Sequence, residues 1–498
     1  MDTDRWRTGV TALVAIVSAL SLVACGPVGG PTTNAGPAGA PNIVFVLTDD
    51  LAWNLVQYMP QVQKLQADGM TFTNYTVADS LCCPSRSSIF TGDFPHDTGV
   101  FTNGGSDGGF AVFHSRGDEA HTYATSLQTQ QYATAMMGKY LNGYLPPNTE
   151  GGATPYVPPG WSEWDVAGNG YPEYDYDLNE NHVVRHYGNT PAEYLTDVLS
   201  GKGIAFIQHS AAAHTPFVME LATFAPHSPF TPAKQDLDAF PGLTAPRTAS
   251  YDTTPANAPA WLAGNAPLTK NEQNTIDTDF RKRAQAVQAV DRMIGNLRTV
   301  LVAAGIAQNT YIVFSSDNGF HMGDFRLTPG KQTAFDTDIR VPLIVAGPGI
   351  HPGSTNADIV QNIDLAPTFQ ALAGVTPASN VDGASLVPLL RGEDASAWRT
   401  AALVEHHGPN TAPDDPDVQT KRSGSPTTYE ALRTAKYTYV EYATGETEYY
   451  DLGADPFELN NITATLPAAR KAALHTALAQ LEACHGHTAC WAAAHVTA

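Results

Sequence analysis

Four short apolar runs constrain this chain more than anything else in it, because each is unbroken and each closes on a polar group. Ile43 to Leu47 runs into Thr48-Asp49-Asp50, and Tyr132 to Gly138 runs into Lys139. Phe217 to Phe224 runs into Ala225-Pro226-His227, and Tyr311 to Ser316 runs into Asp317-Asn318-Gly319. A β-rich run without alternation suits a strand buried on both faces, the environment of a parallel sheet covered by helices. Open α/β sheets bind their ligands outside the carboxyl ends of the strands. Strand ends that deliver Asp49, Asp50, Lys139, His227, Asp317 and Asn318 therefore describe one polar pocket. The neighbouring carboxylates of Asp49 and Asp50 repel one another, and a divalent cation resolves that repulsion.

Between the strands, apolar residues recur from Phe280 through Ala284, Val287, Ile294, Leu297 and Leu301 at helical spacing, ended by Gly305. Asp291 interrupts that stripe, and an ion pair is its expected role. Segments 146–192 and 225–275, rich in Pro, Asn, Tyr and Gly, are expected to be long loops over the pocket mouth. His321 and Lys331 precede the apolar run Val341 to Val345 and would complete a cationic ring. From about residue 397 the pattern alternates through Ala401–His406, Tyr429–Arg433, Tyr437–Tyr442 and Glu448–Leu452. This predicts a small antiparallel sheet, followed by a helix over 467–483. The expected organisation is a signal over 1–24, a flexible tether over 25–41, a main α/β domain over 42–396 and a C-terminal subdomain over 397–498.

The start of the chain reads as an export signal, with Arg5 and Arg7 ahead of the short apolar run Val10 to Val23. Leu22-Val23-Ala24-Cys25 resembles a bacterial lipoprotein box. That resemblance implies a lipid on Cys25 and a cell-surface protein that meets the membrane only through its anchor; otherwise the chain is secreted. A net charge of -22, from 49 acidic and 27 basic residues, excludes nucleic acid and charge-driven binding to anionic membranes. An anionic substrate must then be held by a local positive site. Five cysteines are too few for a disulfide scaffold. In an exported protein Cys484 and Cys490 are close enough in sequence to close a small loop.

The stretch Cys82-Cys83-Pro84-Ser85-Arg86, continued to Thr91-Gly92, predicts a short helix. Pro84 suits its first turn and Gly92 its end. Cys82 would sit where helix amides favour an anion, with the Arg86 fork one turn in. This stretch resembles the type I sulfatase signature, Cys-x-Pro-Ser-Arg followed by Thr-Gly. The resemblance implies an alkaline-phosphatase-like α/β fold and oxidation of Cys82 to formylglycine by a formylglycine-generating enzyme. It implies one calcium ion held by Asp49, Asp50, Asp317, Asn318 and the modified Cys82. By the same resemblance Arg86 and Lys139 orient the nucleophile and the sulfate, while Lys331 and His227 hold sulfate oxygens or protonate the leaving group. Many arylsulfatases carry a histidine where this chain has Leu141, and His321 or Asn142 would compensate.

Ser80-Leu81-Cys82-Cys83, Gly138-Lys139-Tyr140-Leu141-Asn142 and Pro226-His227-Ser228-Pro229 look most like the N-acetylglucosamine-6-sulfatase branch, and Tyr450-Asp451-Leu452 looks like the family's C-terminal signature. The expected substrate is then a sulfated sugar, a 6-O-sulfated N-acetylglucosamine unit of a glycosaminoglycan, or a small sulfate ester. An arylsulfatase of broad specificity and a phosphonate or phosphodiester hydrolase of the same superfamily are the alternatives. A non-enzymatic, sugar-binding lipoprotein on a degenerate fold is disfavoured by the intact Cys82, Arg86 and paired acids.

Overall fold

The computed structural model describes residues 39–409, 415 and 417–496. The signal over 1–24, Cys25 and most of the tether lie outside them. The strands in chain order are β1 (Asn42–Thr48), β2 (Met70–Phe72), β3 (Tyr75–Thr76), β4 (Ala133–Lys139), β5 (Glu163–Ala167) and β6 (Tyr176–Glu180). They continue as β7 (Val183–Tyr187), β8 (Phe217–Ala222), β9 (Thr310–Ser316), β10 (Leu343–Ala346), β11 (Ser354–Asn356) and β12 (Val360–Gln361). Ten of them form one mixed sheet in the order β11-β2-β10-β9-β1-β8-β4-β5-β6-β7.

The unbroken apolar run of β1 is explained by its place at the centre of this sheet. Ile43, Phe45 and Leu47 face a core shared with Phe90 and Phe369. Val44 and Val46 face the opposite core, with Ile294 and Leu297. Both faces are covered, so alternation would be penalised. The second core is closed by the helices Leu195–Ala212 and Lys270–Ala303. β1 runs parallel to β8 and β9, and β4 runs parallel to β8, with Leu47 opposite Ala222 and Thr48 opposite Ser316. The carboxyl ends of these four strands therefore reach one edge together.

Two expectations are corrected. The segment 146–192 is not a loop: it holds β5, β6 and β7, which extend the sheet beyond β4. Trp164 and Leu178 are buried there while Val183 and Val184 are exposed on the edge strand, so short strands separated by Gly and Asn turns carry no apolar run. Among the described residues Asp291 forms no ion pair. Its Oδ1 accepts the backbone N–H groups of Gln61 (2.8 Å) and Val62 (3.0 Å), which are free donors at the start of the helix Pro60–Asp68.

The C-terminal part forms a four-stranded antiparallel sheet of β13 (Ala401–His406), β14 (Tyr429–Thr434), β15 (Tyr437–Tyr442) and β16 (Thr447–Asp451). The helix Ala468–Glu482 packs on it, and a further helix, Gly486–Ala493, follows. Cys484 and Cys490 are disulfide-bonded. His96, on the short helix Pro95–Thr98, ties this region to the main domain, with Nδ1 2.9 Å from Glu405 Oε1 and Nε2 2.8 Å from the Cys484 carbonyl. Among the described residues no helix is long and apolar enough to cross a membrane.

Candidate active site

The helix Cys82–Thr91 begins after the extended Leu81, carries Pro84 in its first turn and ends at Gly92, whose φ of 87° is left-handed. All ten of its residues are buried, although half of them are Ser, Thr or Arg. Such a helix persists only if its polar groups find partners inside the protein. Arg86 Nε donates to Asp317 Oδ2 (2.8 Å) and Nη1 to the Lys139 carbonyl (2.9 Å). Ser85 Oγ donates to the Asp317 carbonyl. The start of this helix is thereby bolted to the ends of β9 and β4.

Cys82 Sγ lies at the centre of the strand ends. It is 3.1 Å from Asp49 Oδ1, 2.9 Å from Lys331 Nζ and 3.5 Å from Asp417 Oδ2. Burial first, then Asp317 and Asp49, pushes the thiol well above its usual range. For a plain cysteine here, burial and the acids beside it disfavour the anion.

Two lysines face the acids. Lys139 Nζ pairs with Asp49 Oδ2 at 2.6 Å and Lys331 Nζ with Asp50 Oδ1 at 2.6 Å. Burial works to discharge both lysines, but Asp49 beside Lys139, and Asp417 and Asp50 beside Lys331, hold them protonated. Gly138 sets the position of Lys139. Its φ is 104°, and a Cβ there would fall 1.9 Å from the Ala222 carbonyl oxygen of the neighbouring strand. Only glycine lets β4 approach β8 this closely.

His227 Nε2 is 2.6 Å from Asp417 Oδ1 and 3.7 Å from Asp50 Oδ2, while Nδ1 meets the Ser228 carbonyl at 2.7 Å. Burial opposes its charge, but Asp417, Asp50 and Asp49 raise its pKa to about 9. Asp317 Oδ1 accepts the N–H groups of Asp50 (3.2 Å) and Asn318 (2.8 Å). Burial would raise its pKa, yet Arg86, Lys139 and Lys331 hold it low. Asn318 Nδ2 donates to Asp50 Oδ1 at 2.7 Å, leaving its Oδ1 buried without a partner.

The structure thus brings together Cys82, Arg86, Lys139, His227, Lys331, Asp49, Asp50, Asp317 and Asn318. It does not bring in His321. That ring is fully buried with Nδ1 2.9 Å from Asp338 Oδ2, and Asp338 in turn takes the N–H of Thr333 at 3.1 Å, so His321 braces the chain just after Lys331.

Three contributors escaped the sequence reading. Arg283, on the helix Lys270–Ala303, donates to the carbonyls of Asp50 and Pro226 and so joins the end of β1 to the His227 turn. An arginine inside an apolar helical stripe was the available signal. Asn103 Oδ1 accepts the Cys83 N–H at 2.9 Å, and its Nδ2 donates to Asp417 Oδ2 at 2.8 Å. Asp417 comes from a Pro- and Asp-rich stretch without periodicity, which gave no signal at all.

The oxygens of this site suit a hard cation. The Asp49 and Asp50 carboxylates belong to a group with Cys82 and His227 whose ligand atoms lie within 4.8 Å of one another, and the orphaned Asn318 Oδ1 adds a further hard oxygen. Next to Lys139 opens a cleft of about 620 Å³, lined among others by Asn103, Asn142, Tyr144, Tyr171 and Phe224.

Residues 41–375 match the family model described as sulfatase, and residues 324–483 match that of the N-sulphoglucosamine sulphohydrolase C-terminal region. The chain belongs to the sulfatase family. This sulfatase is 36% identical to human N-acetylglucosamine-6-sulfatase, over 90% of its own length and 85% of that protein's. It is 27% identical to the N-acetylglucosamine-6-O-sulfatase of Bacteroides thetaiotaomicron, over 93% and 89%. A solved structure in complex with its substrate D-glucosamine-2-N,6-O-disulfate superposes on the sulfatase with a TM-score of 0.71 at 25% identity, covering 89% of this chain and 97% of the other. The chain is accordingly a sulfuric ester hydrolase, and its fold is the sulfatase α/β sheet with a small C-terminal antiparallel sheet.

Proposed function

We propose that this sulfatase removes the 6-O-sulfate from a terminal N-acetylglucosamine unit of a glycosaminoglycan, using residue 82 as formylglycine and one bound calcium ion. The observation that carries this reading is the convergence of Cys82, Lys139, Lys331 and His227 on one point beside an open cleft. The branch-like sequence around Cys82, Lys139 and His227, and the names of the two relatives above, support the sugar.

Asp49, Asp50, Asp317 and Asn318 would hold the calcium, which would polarise the sulfate oxygens when bound. The oxidised residue 82 would supply a hydrated aldehyde as nucleophile. The rest falls to groups whose positions are known. Lys139 and Lys331 reach the neighbourhood of Sγ with charged ammonium groups and would offset the charge of a sulfate monoester. Arg86, committed to Asp317 and the Lys139 carbonyl, holds the nucleophile's helix in place, while its Nη2 is buried without a partner and is free to donate to an anion. His227, fixed through Nδ1, would carry on Nε2 the proton that the departing sugar oxygen needs. Tyr171 lies against Lys139, with its ring centroid 5.0 Å from Nζ, and offers an apolar face to a sugar ring. The reading also includes export, with the chain anchored through a lipid on Cys25.

The test is sulfate release from a set of defined sulfated sugars and aryl sulfates. N-acetylglucosamine 6-sulfate should be turned over, and Cys82→Ser should abolish turnover. Rapid hydrolysis of aryl sulfates with every 6-sulfated glucosamine untouched would refute the sugar assignment.

A further inference from the structure

We infer that the carboxylate of Asp417 is an internal competitor for the sulfate site: it holds the donors that a substrate's sulfate needs, and it must leave before a sulfate ester binds. Asp417 Oδ1 accepts from His227 Nε2 at 2.6 Å and from Lys331 Nζ at 3.1 Å. Its Oδ2 accepts from Asn103 Nδ2 at 2.8 Å and stands 3.5 Å from Cys82 Sγ, where the sulfur of an ester must approach its nucleophile. The side chain is 4% exposed.

These donors cannot serve two anions at once. His227 Nδ1 is committed to the Ser228 carbonyl, so Nε2 is the only ring nitrogen left for a substrate. Lys331 Nζ is otherwise spent on Asp50 Oδ1 and Cys82 Sγ. A carboxylate lodged beside the nucleophile would also repel an incoming sulfate by like charge. The placement is specific. The Asp417 carbonyl accepts from Gln332 Nε2 (3.2 Å) and Gln419 Nε2 (2.8 Å), and its N–H donates to Asp415 Oδ1 at 2.9 Å.

The consequence is selectivity. Free sulfate, the reaction's own product, faces this competition in full. A sugar sulfate adds contacts in the cleft beside Tyr171 and Asn142 and so displaces the carboxylate more easily. A ligand that binds only the carboxylate-free state has its apparent affinity reduced by the fraction of molecules in that state.

The inference rests on His227 and Lys331 being the sulfate's donors, and the experiment separates the two. Inorganic sulfate is titrated calorimetrically into the calcium-loaded wild type, Asp417→Asn and Asp417→Ala, with thermal unfolding to verify folding. Both variants should bind sulfate roughly tenfold tighter or more. The KM for a short sulfate ester should fall in proportion. Adding sulfate to the wild type should speed hydrogen exchange at the Asp417 amide, which a charge that merely sits nearby would not do. Equal or weaker sulfate binding in both variants overturns the inference, as does loss of kcat at constant KM, which would make Asp417 a working partner of His227. If Lys331→Ala leaves sulfate binding to the Asp417→Asn protein intact, the donor assignment itself has failed. If Lys331→Ala abolishes binding while wild type and Asp417→Asn bind alike, only the competitor role has failed.

Discussion

Asp317 is expected from sequence to be a metal ligand, yet its carboxylate is already engaged by three donors of the protein. Oδ2 takes Arg86 Nε at 2.8 Å, and Oδ1 takes the N–H groups of Asp50 and Asn318. The Arg86 and Asp317 side chains are both fully buried. Asp317→Ala would leave Arg86 charged and without its ion-pair partner in the interior, a loss of about 3–5 kcal/mol for a broken buried pair. Over the unit Ala35–Ala498 the unfolding entropy is about 1 kcal/mol per degree. The Tm should therefore fall by roughly 3–5 °C. The informative assay is thermal unfolding in calcium-free, chelator-containing buffer. If Asp317 served only as a metal ligand, its removal without metal would relieve repulsion from Asp50 and leave Tm unchanged or raised. A Tm within about 1 °C of the wild type under those conditions would refute a structural role for the Arg86–Asp317 pair. A drop there, with a further deficit on adding calcium, would show both roles in one side chain.

Gly138→Ala should misplace Lys139, since the new Cβ meets the Ala222 carbonyl; activity should fall more than about tenfold with roughly 1–3 kcal/mol of stability, measured by kinetics and denaturant unfolding. His96 is raised from 6.5 to about 9, with burial opposing and Glu405 outweighing it, so its contribution is complete below pH 6.5 and lost as pH rises through about 9. The unfolding free energy from denaturant titrations should fall across that window by on the order of 1–3 kcal/mol, and His96→Gln should flatten the dependence. Elemental analysis of purified protein should find calcium rather than zinc; stoichiometric zinc, or full activity after metal removal, would reject the oxygen-ligand assignment.

Much of the site was legible because strand ends in a parallel sheet leave a readable mark. A run such as Ile43 to Leu47, followed by Asp49-Asp50, says both that the strand is buried and where its chemistry begins. The same logic found Lys139, His227, Asp317 and Asn318. The helix Cys82–Thr91 was legible only through its signature and its terminal Pro and Gly, since burial on every side erases any amphipathic period. Asp417 and Asn103 were invisible, because single polar residues in aperiodic segments acquire meaning only from what they touch. Asp291 misled because a lone acid in an apolar stripe suggests a cation, whereas backbone amides at another helix's start can serve as well. The strands of 146–192 were hidden by length: five-residue strands separated by turn residues have the composition of a loop.

The complete burial of the helix carrying Cys82 also fixes when its chemistry can be set. Among the described residues, none of Cys82–Thr91 is exposed for another enzyme's active site to grip once the chain has folded. Whatever oxidation that residue undergoes must happen during synthesis or translocation, while the stretch is still extended. On the proposed reading, in which turnover needs residue 82 as formylglycine, each molecule would then be either competent or inert for the rest of its life. The specific activity of a preparation becomes a record of a race between maturation and collapse, and a substitution far from the cleft that hastens folding would lower activity without altering a single contact in the finished enzyme.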